Sequence, residues 1–414
     1  MNDSNSLMAR LSLHHGLVGL SFGFISATQG LFILEKGYQA WHVGWMFGLF
    51  AVIAALAEVP LGAVADRWGR LFLFRLSLVV SILALSLAIV TTMTWLLIAS
   101  VIFLALSQAM SSGTVDAWQV EQIRKQDPEA LSLWLERYQS IGAVAIALGA
   151  LMGGYMPTWL AFLDLSNPTA INFVACLSLR FLHWGLCVWL FQEGESSSAE
   201  NKTSNPLSSA VGHCLQPVLL FILGVAFIFG LVLVAVESYW QPALKEINHG
   251  PGYEIFGWLG AGYFLVSALG PLLYQFLHKR LGLPLEQEIL WILGIASGLL
   301  MLLSQQNETF GFASLFVIFM LVMSSLIVPA SLLTHQHTPD SIRATVLSIK
   351  SLVMLIGSSV TTLGLSHLIL SVGVSGVWFL VGVFGLVAAI ALFVAWRLTL
   401  DLSRHPPQVS SSNP

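Results

Sequence analysis

The stretch Glu58-Val59-Pro60-Leu61-Gly62-Ala63-Val64-Ala65-Asp66-Arg67-Trp68-Gly69-Arg70 lies between two strongly apolar runs of the chain. It places a carboxylate, Asp66, and two guanidinium groups, Arg67 and Arg70, among small residues. Such charges are costly in lipid unless they lie at the interface and are paired. The glycines let backbones approach closely, and Arg70 can hold a carboxylate of another helix through paired hydrogen bonds. The stretch is therefore predicted to be a loop that latches helix ends together.

The composition is that of a polytopic membrane protein. Hydrophobic residues make up 56% of the chain and charged residues 9%, against about 25% charged in an ordinary soluble domain. A composition this apolar excludes a soluble enzyme with an anchor. The net charge of -4, without a dense basic cluster, argues against a nucleic-acid partner.

No cofactor or metal ion is predicted. The three cysteines show neither a disulfide framework nor metal-ligand spacing, and the histidines at 14 and 15 are too few and too adjacent for a metal site. The sequence contains no nucleotide-binding loop, so we expect no use of ATP. No acid, histidine and nucleophile converge at one membrane depth, so the chain is not predicted to be an enzyme.

Hydropathy predicts an all-α fold that crosses the membrane about twelve times. A membrane helix needs roughly 20 mostly apolar residues. Runs of this kind lie approximately at 12–34, 41–61, 72–92, 95–119, 139–161, 170–191, 217–240, 254–277, 286–304, 309–332, 346–370 and 374–397.

A polar, serine-rich linker at 192–216 divides these runs into two sets of six. The predicted units are therefore an amino-terminal bundle at 1–191, the linker, a carboxy-terminal bundle at 217–397 and a tail at 398–414. Lys36 and Lys245 lie on one side of the predicted membrane, and most other cations lie on the side of the amino terminus. By the positive-inside rule, both termini are expected in the cytoplasm and the chain in the cell membrane.

The segment from Gly62 to Arg70 resembles the G-x-x-x-D-R-x-G-R signature between the second and third helices of major facilitator superfamily transporters. With twelve spans, the resemblance covers nearly the whole chain. It implies two six-helix bundles around a central cavity, a monomer in the lipid bilayer and transport of a small molecule by alternating access. The alternative is that these charges are solvated and only follow the positive-inside rule.

The resemblance also assigns a conformational gate. Asp66 would face the amino end of the eleventh span, where a helix dipole favours an anion. Arg70 would pair with an acid at the end of the fourth span, either Asp116 or Glu121. The gate residues implied in this way are Gly62, Asp66, Arg67, Gly69, Arg70 and Glu121.

Three acids are candidates for proton coupling. Glu58 and Asp116 lie in stretches that resemble the E-x-P-T-G and S-G-x-x-x-A motifs of a subgroup of these permeases, with Leu61 in place of the threonine. Carboxyl groups inside helices could exchange a proton during transport, although they could instead be structural partners of nearby arginines. Glu237, near the end of the seventh span, is expected either at the cavity mouth or in an interface belt.

Four residues are candidates for the substrate cavity. Phe22, Ser26 and Gln29 share one face of the first span, which suits helix packing or a water-filled cavity. Arg180 falls near mid-membrane, where an arginine needs a partner. It could attract an anionic substrate or a coupling carboxylate, or it could snorkel or form a buried pair.

The function that follows from the resemblance is secondary transport of a small organic solute, with proton-coupled efflux favoured over proton-coupled uptake. Residues 149–154 resemble the G-P-x-x-G-G element of antiporters, with Ala150 in place of the proline. A membrane receptor or scaffold that retains the fold without transporting is the alternative from another class.

Overall fold

A computed structural model describes residues 2–112, 114–126, 131–191, 212, 214–248 and 252–404. Every regular element within these ranges is helical. The α-helices are α1 (Asn2–Ser26), α2 (Gln29–Glu35), α3 (Ala40–Trp68), α4 (Arg70–Val90), α5 (Thr94–Ser111), α6 (Thr114–Gln126), α7 (Leu131–Trp159), α8 (Ala170–Leu190), α9 (Pro217–Ile247), α10 (Glu254–Leu281), α11 (Leu285–Leu303), α12 (Thr309–Ser325), α13 (Ile327–Gln336), α14 (Arg343–Ser359) and α15 (Ile369–Arg404).

These helices account for the predicted number of spans. Ten helical stretches are long and apolar enough to cross a membrane, and α1 with α2 forms one more span that is bent by 43°. One of the ten stretches, Thr345–Leu398, has 54 residues. At about 1.5 Å per residue it is far longer than a bilayer of about 30 Å is thick, and its backbone leaves the helical conformation at Gly373, where φ is 71°. Counting it as two spans gives twelve, and the predicted all-helical polytopic fold is confirmed.

The prediction that the stretch from Glu58 to Arg70 is a loop was wrong. The helix α3 continues to Trp68 and has Pro60 in its interior. Only Gly69 is non-helical, with φ at 96°, and α4 starts at the next residue. Alanine, leucine and valine between the charged residues sustain the helix beyond the apolar run, and a positive φ suits glycine. The charges therefore lie on helix ends joined by a single residue.

Two bundles of helices pack side by side, α1–α8 and α9–α15. The helix α9 lies at the centre of the second bundle and is buried on most of its circumference, as are the aromatic residues Phe312, Phe316 and Trp378 around it. The first bundle has one apolar cluster around Tyr138 and another around Phe173. We call the membrane face at which α1 begins the amino-terminal face, and the other, where α2 ends, the opposite face.

The boundaries of the predicted bundles remain predictions. The predicted linker at 192–216 lies outside the described residues except for 212 and 214–216, and the predicted tail lies outside them beyond Arg404.

Candidate functional site

A partly buried acid lies on α9, beside the boundary of the two bundles. Glu237 on α9 accepts a hydrogen bond of 2.5 Å from the hydroxyl of Tyr263 on α10. The ring of Tyr263 packs against Phe264, with centroids 4.6 Å apart. Phe264 in turn meets Phe22 of α1 edge to face at 5.9 Å. These four residues, the central cluster, therefore connect the acid to the other bundle through aromatic rings.

A cleft lies between the bundles. Between α3 and α14 it contains a cavity of about 500 Å³, which lies nearer the amino-terminal face than the contacts of Gly44 and Gly48 with the other bundle. Its walls are mainly apolar side chains, and Leu56 on α3 is 72% exposed within it. The wall residues are Val52, Ala55, Leu56, Leu352, Leu355, Ile356, Ser359, Val360 and Gly364. An apolar cleft of this size suits a small organic molecule.

Polar contacts close the bundles against each other toward the opposite face. The amide of Gln241 on α9 bridges the break between α1 and α2. Its oxygen accepts a hydrogen bond of 2.5 Å from the Gly30 N–H, and its nitrogen donates one of 2.7 Å to the Ser26 carbonyl. Helix breaks leave backbone groups without helical partners, and here a side chain of the other bundle satisfies two of them. We call this arrangement the Gln241 clamp.

Glycines bring α7 and α10 into close contact near the same face. A Cβ atom built on Gly257 would lie 2.8 Å from the Cα atom of Gly154 and 3.0 Å from the carbonyl oxygen of Ala150. The backbones can approach this closely only because both glycines lack side chains. This contact, the glycine contact, excludes solvent between the bundles on this side.

Glu35 adds a third closing contact at the opposite face. One of its carboxylate oxygens accepts hydrogen bonds from the N–H and the hydroxyl of Thr169, and the other accepts one of 2.9 Å from the hydroxyl of Tyr253. Burial raises the pKa of Tyr253, and the neighbouring Glu35 carboxylate raises it further. The phenol therefore stays a hydrogen-bond donor at neutral pH.

The predicted gate residues lie at the amino-terminal face. Arg70 at the start of α4 is 3.8 Å from the carboxylate of Glu121 on α6, one of its two predicted partners. Lys125 approaches the same carboxylate at 2.9 Å. Asp66 is in the last turns of α3, but its side chain lies outside the described part of the structure, so its contact with the eleventh span stays a prediction.

The other two predicted coupling acids lie in more exposed places than Glu237. Glu58 is exposed and accepts a hydrogen bond of 3.1 Å from the hydroxyl of Ser112. Asp116 is also exposed, in the first turn of α6. Among the described residues, neither is joined to an arginine by an ion pair, which was the alternative considered for them.

The structure places the four cavity candidates in different environments. Phe22 lies at the boundary of the bundles, and Ser26 contributes its carbonyl to the Gln241 clamp. Gln29 is the first residue of α2, after the break. Arg180 lies within the first bundle and interacts electrostatically with His14 and His183.

Among the residues in these contacts that sequence analysis did not single out are Tyr263, Gln241 and His183. Tyr263 lies in an apolar run, where an aromatic residue is unremarkable by composition. Gln241 follows the outer aromatic residues of the seventh span, and its position 211 residues from Gly30 gives no local signal. His183 shares a span with Arg180, and a second polar residue at similar depth was a usable signal.

Comparison with known proteins identifies the family. The model of the Major Facilitator Superfamily matches residues 11–252. An uncharacterized MFS-type transporter of Bacillus subtilis (strain 168), YxaM, is 23% identical over 382 residues, which are 90% of this chain and 92% of that protein.

Solved structures share the fold at low sequence identity. The nucleoside transporter NupG superposes with a TM-score of 0.76 at 13% identity, covering 94% of this chain and 99% of that one. A bacterial homologue of the human lysosomal transporter Spinster, in an inward-facing and occupied conformation, gives 0.76 at 16% identity, covering 96% and 98%. With a family model matched over more than half of its length, this chain belongs to the major facilitator superfamily and is a membrane transporter of that type.

Proposed function

We propose that the protein exports a small organic solute in exchange for protons, with Glu237 as the proton-coupling carboxylate. The observation that carries the proposal is the central cluster, in which Glu237 is hydrogen-bonded to Tyr263 and connected through Phe264 to Phe22 of the other bundle. A proton and a solute that use this region would compete at the level where the bundles meet.

Glu237 suits this role better than Glu58 or Asp116. Its side chain is partly buried, whereas the other two are exposed, and none of the ion pairs among the described residues includes it. A carboxyl group without a fixed cation can take up and release a proton without breaking an ion pair. The Tyr263 hydroxyl donates a hydrogen bond to this carboxyl group, which favours its charged form.

The proposed transport cycle uses the two ends of the molecule as gates. In this structure the bundles are in contact at the opposite face, and the cavity between α3 and α14 lies on the amino-terminal side of these contacts. With both termini in the cytoplasm of the cell, as the cation distribution favours, this is an inward-open state ready to take up solute. The charged residues at the ends of α3, α4 and α6 would regulate closure on that side.

Reconstituted vesicles test the proposal. Purified protein is inserted into liposomes that contain a pH-sensitive dye, and members of a panel of aromatic cations, neutral aromatic compounds and nucleosides are added outside. In proton antiport, solute entry drives protons out and the lumen becomes alkaline. In proton-coupled uptake, solute and protons enter together and the lumen becomes acidic, so the sign of the change distinguishes the two directions of coupling.

The carboxylate is identified with two variants. Glu237→Gln should abolish the solute-dependent pH change while retaining solute exchange, because the amide preserves the shape of the site without titrating. Glu246→Gln on the same helix is the matched control and should behave like the unmodified protein. A full pH response in Glu237→Gln would refute the assignment, and loss of both activities would show that Glu237 binds solute without coupling.

A further inference from the structure

A cluster of metal-binding side chains lies inside the first bundle, apart from the central cluster. His14 of α1 and His183 of α8 face each other, with Nδ1 of the first 2.9 Å from Nε2 of the second. Cys187 lies one turn after His183, and a ligand atom from each of the three residues falls within 4.8 Å of the others. All three side chains are buried, and the cysteine is a free thiol.

The dimensions of the cluster fit a metal ion after small side-chain movements. Metal bonds of about 2.0 Å to nitrogen and 2.3 Å to sulfur separate neighbouring ligand atoms by roughly 3.3–3.7 Å. The three ligand atoms already lie within 4.8 Å of one another, so small side-chain movements reach this spacing. Both helices are packed together here, so rotation of the side chains suffices.

A second observation favours a ligand over a simple histidine pair. The Nδ1 atom of His183 is buried without a hydrogen-bond partner among the described residues. A buried polar atom without a partner is unfavourable. The contact with His14 through Nε2 therefore leaves Nδ1 of His183 unsatisfied, and a metal ion bound at Nδ1 would supply its partner.

The charges around the cluster select the type of ion. Arg180 interacts electrostatically with both histidines, and Arg75 with Cys187. Two guanidinium groups disfavour a divalent ion, whereas a monovalent ion with one thiolate and two neutral imidazoles adds no net charge. A thiolate with imidazoles is a soft donor set that suits Cu(I). The rings of Phe74 and Phe191 pack on His14 and keep the surroundings apolar.

We propose that His14, His183 and Cys187 bind one Cu(I) ion, which joins α1 to α8 within the first bundle. Binding forms a copper–sulfur bond and releases the thiol proton, and the copper remains Cu(I) throughout. The bound ion would brace α1, the helix that carries Phe22 and contributes the Ser26 carbonyl to the Gln241 clamp, against the rest of its bundle. The site does not depend on proton coupling and stands or falls separately from the proposed function.

Competition for Cu(I) tests the site. Full-length purified protein is titrated, without oxygen and with a reductant, into the coloured complex of Cu(I) with bicinchoninate. The unmodified protein should remove one equivalent of copper, and an equimolar amount of Zn²⁺ should not displace it. Cys187→Ser and His183→Gln should each lower the affinity at least about tenfold, whereas Cys176→Ser, a buried cysteine on the same helix, should not.

A spectroscopic measurement distinguishes the loss of a metal ligand from poor folding of a variant. Copper binding to the unmodified protein should produce ultraviolet absorption from sulfur-to-copper charge transfer, and this band should be absent in Cys187→Ser while Cys176→Ser retains it. Absence of copper uptake by the unmodified protein, or uptake unchanged in both ligand variants, would overturn the proposal. Preferential binding of Zn²⁺ by the same residues would overturn the assignment of the ion.

Discussion

At the scale of single residues, Glu121 has two cationic neighbours with different roles. Lys125 lies on the same helix and approaches it at 2.9 Å, whereas Arg70 comes from another span at 3.8 Å. Exposed pairs contribute only about 0–1 kcal/mol to stability. The pair between spans nevertheless joins two helix ends that would have to move together when the amino-terminal face closes.

We therefore expect Arg70→Ala to slow transport while leaving protein yield and the midpoint of thermal unfolding nearly unchanged. Loss of a pair worth up to about 1 kcal/mol would lower the rate by as much as about fivefold. Initial rates in vesicles measure the effect. Lys125→Ala removes the other neighbour of the same carboxylate and should transport normally. A normal rate in Arg70→Ala would remove the pair between α4 and α6 from the gating mechanism.

Some residue contacts could be predicted from the sequence and others could not. The pairing of Arg70 with Glu121 could be predicted, because Arg70 belongs to a continuous motif that the family shares. The contact of His14 with His183 joins positions 169 residues apart in two apolar spans, and the sequence does not specify the rotation of either helix. Sequence analysis therefore treated His14 with its neighbour His15 alone and predicted no metal site.

At the scale of helices, the Gln241 clamp ties the broken first span to α9 of the other bundle. Gln241→Leu keeps the approximate volume of the side chain but leaves the Gly30 N–H and the Ser26 carbonyl without this partner. An unsatisfied buried group costs about 1–3 kcal/mol. The substitution should therefore favour opening of the opposite face by roughly five- to 150-fold.

The opening is measured by labelling a cysteine introduced at Ala27, which is fully buried beside the break. In a background without the three native cysteines, a membrane-impermeant maleimide should react faster with this cysteine when Gln241→Leu is present. Gln306→Leu is the control, because its side-chain amide donates to the Leu302 carbonyl at the end of α11, within the second bundle. Equal reaction rates in both variants would show that the Gln241 clamp does not hold this face closed.

The glycine contact between α7 and α10 gives a second prediction at this scale. Gly257→Ala would place a methyl group 2.8 Å from the Cα atom of Gly154, and overpacking of this kind costs about 1–3 kcal/mol. The two helices should separate and the opposite face should open. Gly262→Ala on the same helix meets nothing within 4 Å and should have no such effect.

Distances between spin labels distinguish these outcomes. Labels at Phe162 and Phe310, which are both exposed at the opposite face and belong to different bundles, report the separation of the bundles there. The distance distribution should shift to longer values in Gly257→Ala and remain unchanged in Gly262→Ala. A distribution that is identical in the two variants would contradict the role of the glycine contact.

The helices show why hydropathy predicted the spans but not their ends. An apolar run identifies the part of a helix that lies in lipid, and each predicted run coincides with a helix or a pair of helices. Helices such as α3, α7 and α9 continue beyond their runs, because polar helix formers extend them past the membrane surface. The break after Ser26 depends on Gln241 of the other bundle, which a local pattern does not contain.

At the scale of the whole molecule, the closing contacts and the cleft lie at opposite ends. The Gln241 clamp, the glycine contact and Glu35 close one face, whereas Leu56 and its neighbours line an open cavity toward the other. The solved transporters share the fold of this chain at 13% and 16% identity, and a likeness at this level concerns the fold alone. Labelling from each side of the membrane measures which side of the cavity is accessible in the cell.

Leu56→Cys should react with an impermeant maleimide from the cytoplasmic side, in inverted vesicles and not in intact cells, because the cavity opens toward the amino-terminal face. The adduct should obstruct closure of the cavity and reduce transport tenfold or more, because each increase of about 1.4 kcal/mol in the barrier lowers the rate tenfold. Val90→Cys, 81% exposed where α4 ends at the opposite face, is the matched control. It should react in intact cells and keep its transport rate.

Reaction of Leu56→Cys in intact cells would reverse the assigned orientation. Unaffected transport after its modification would show that the cavity does not have to close during the cycle.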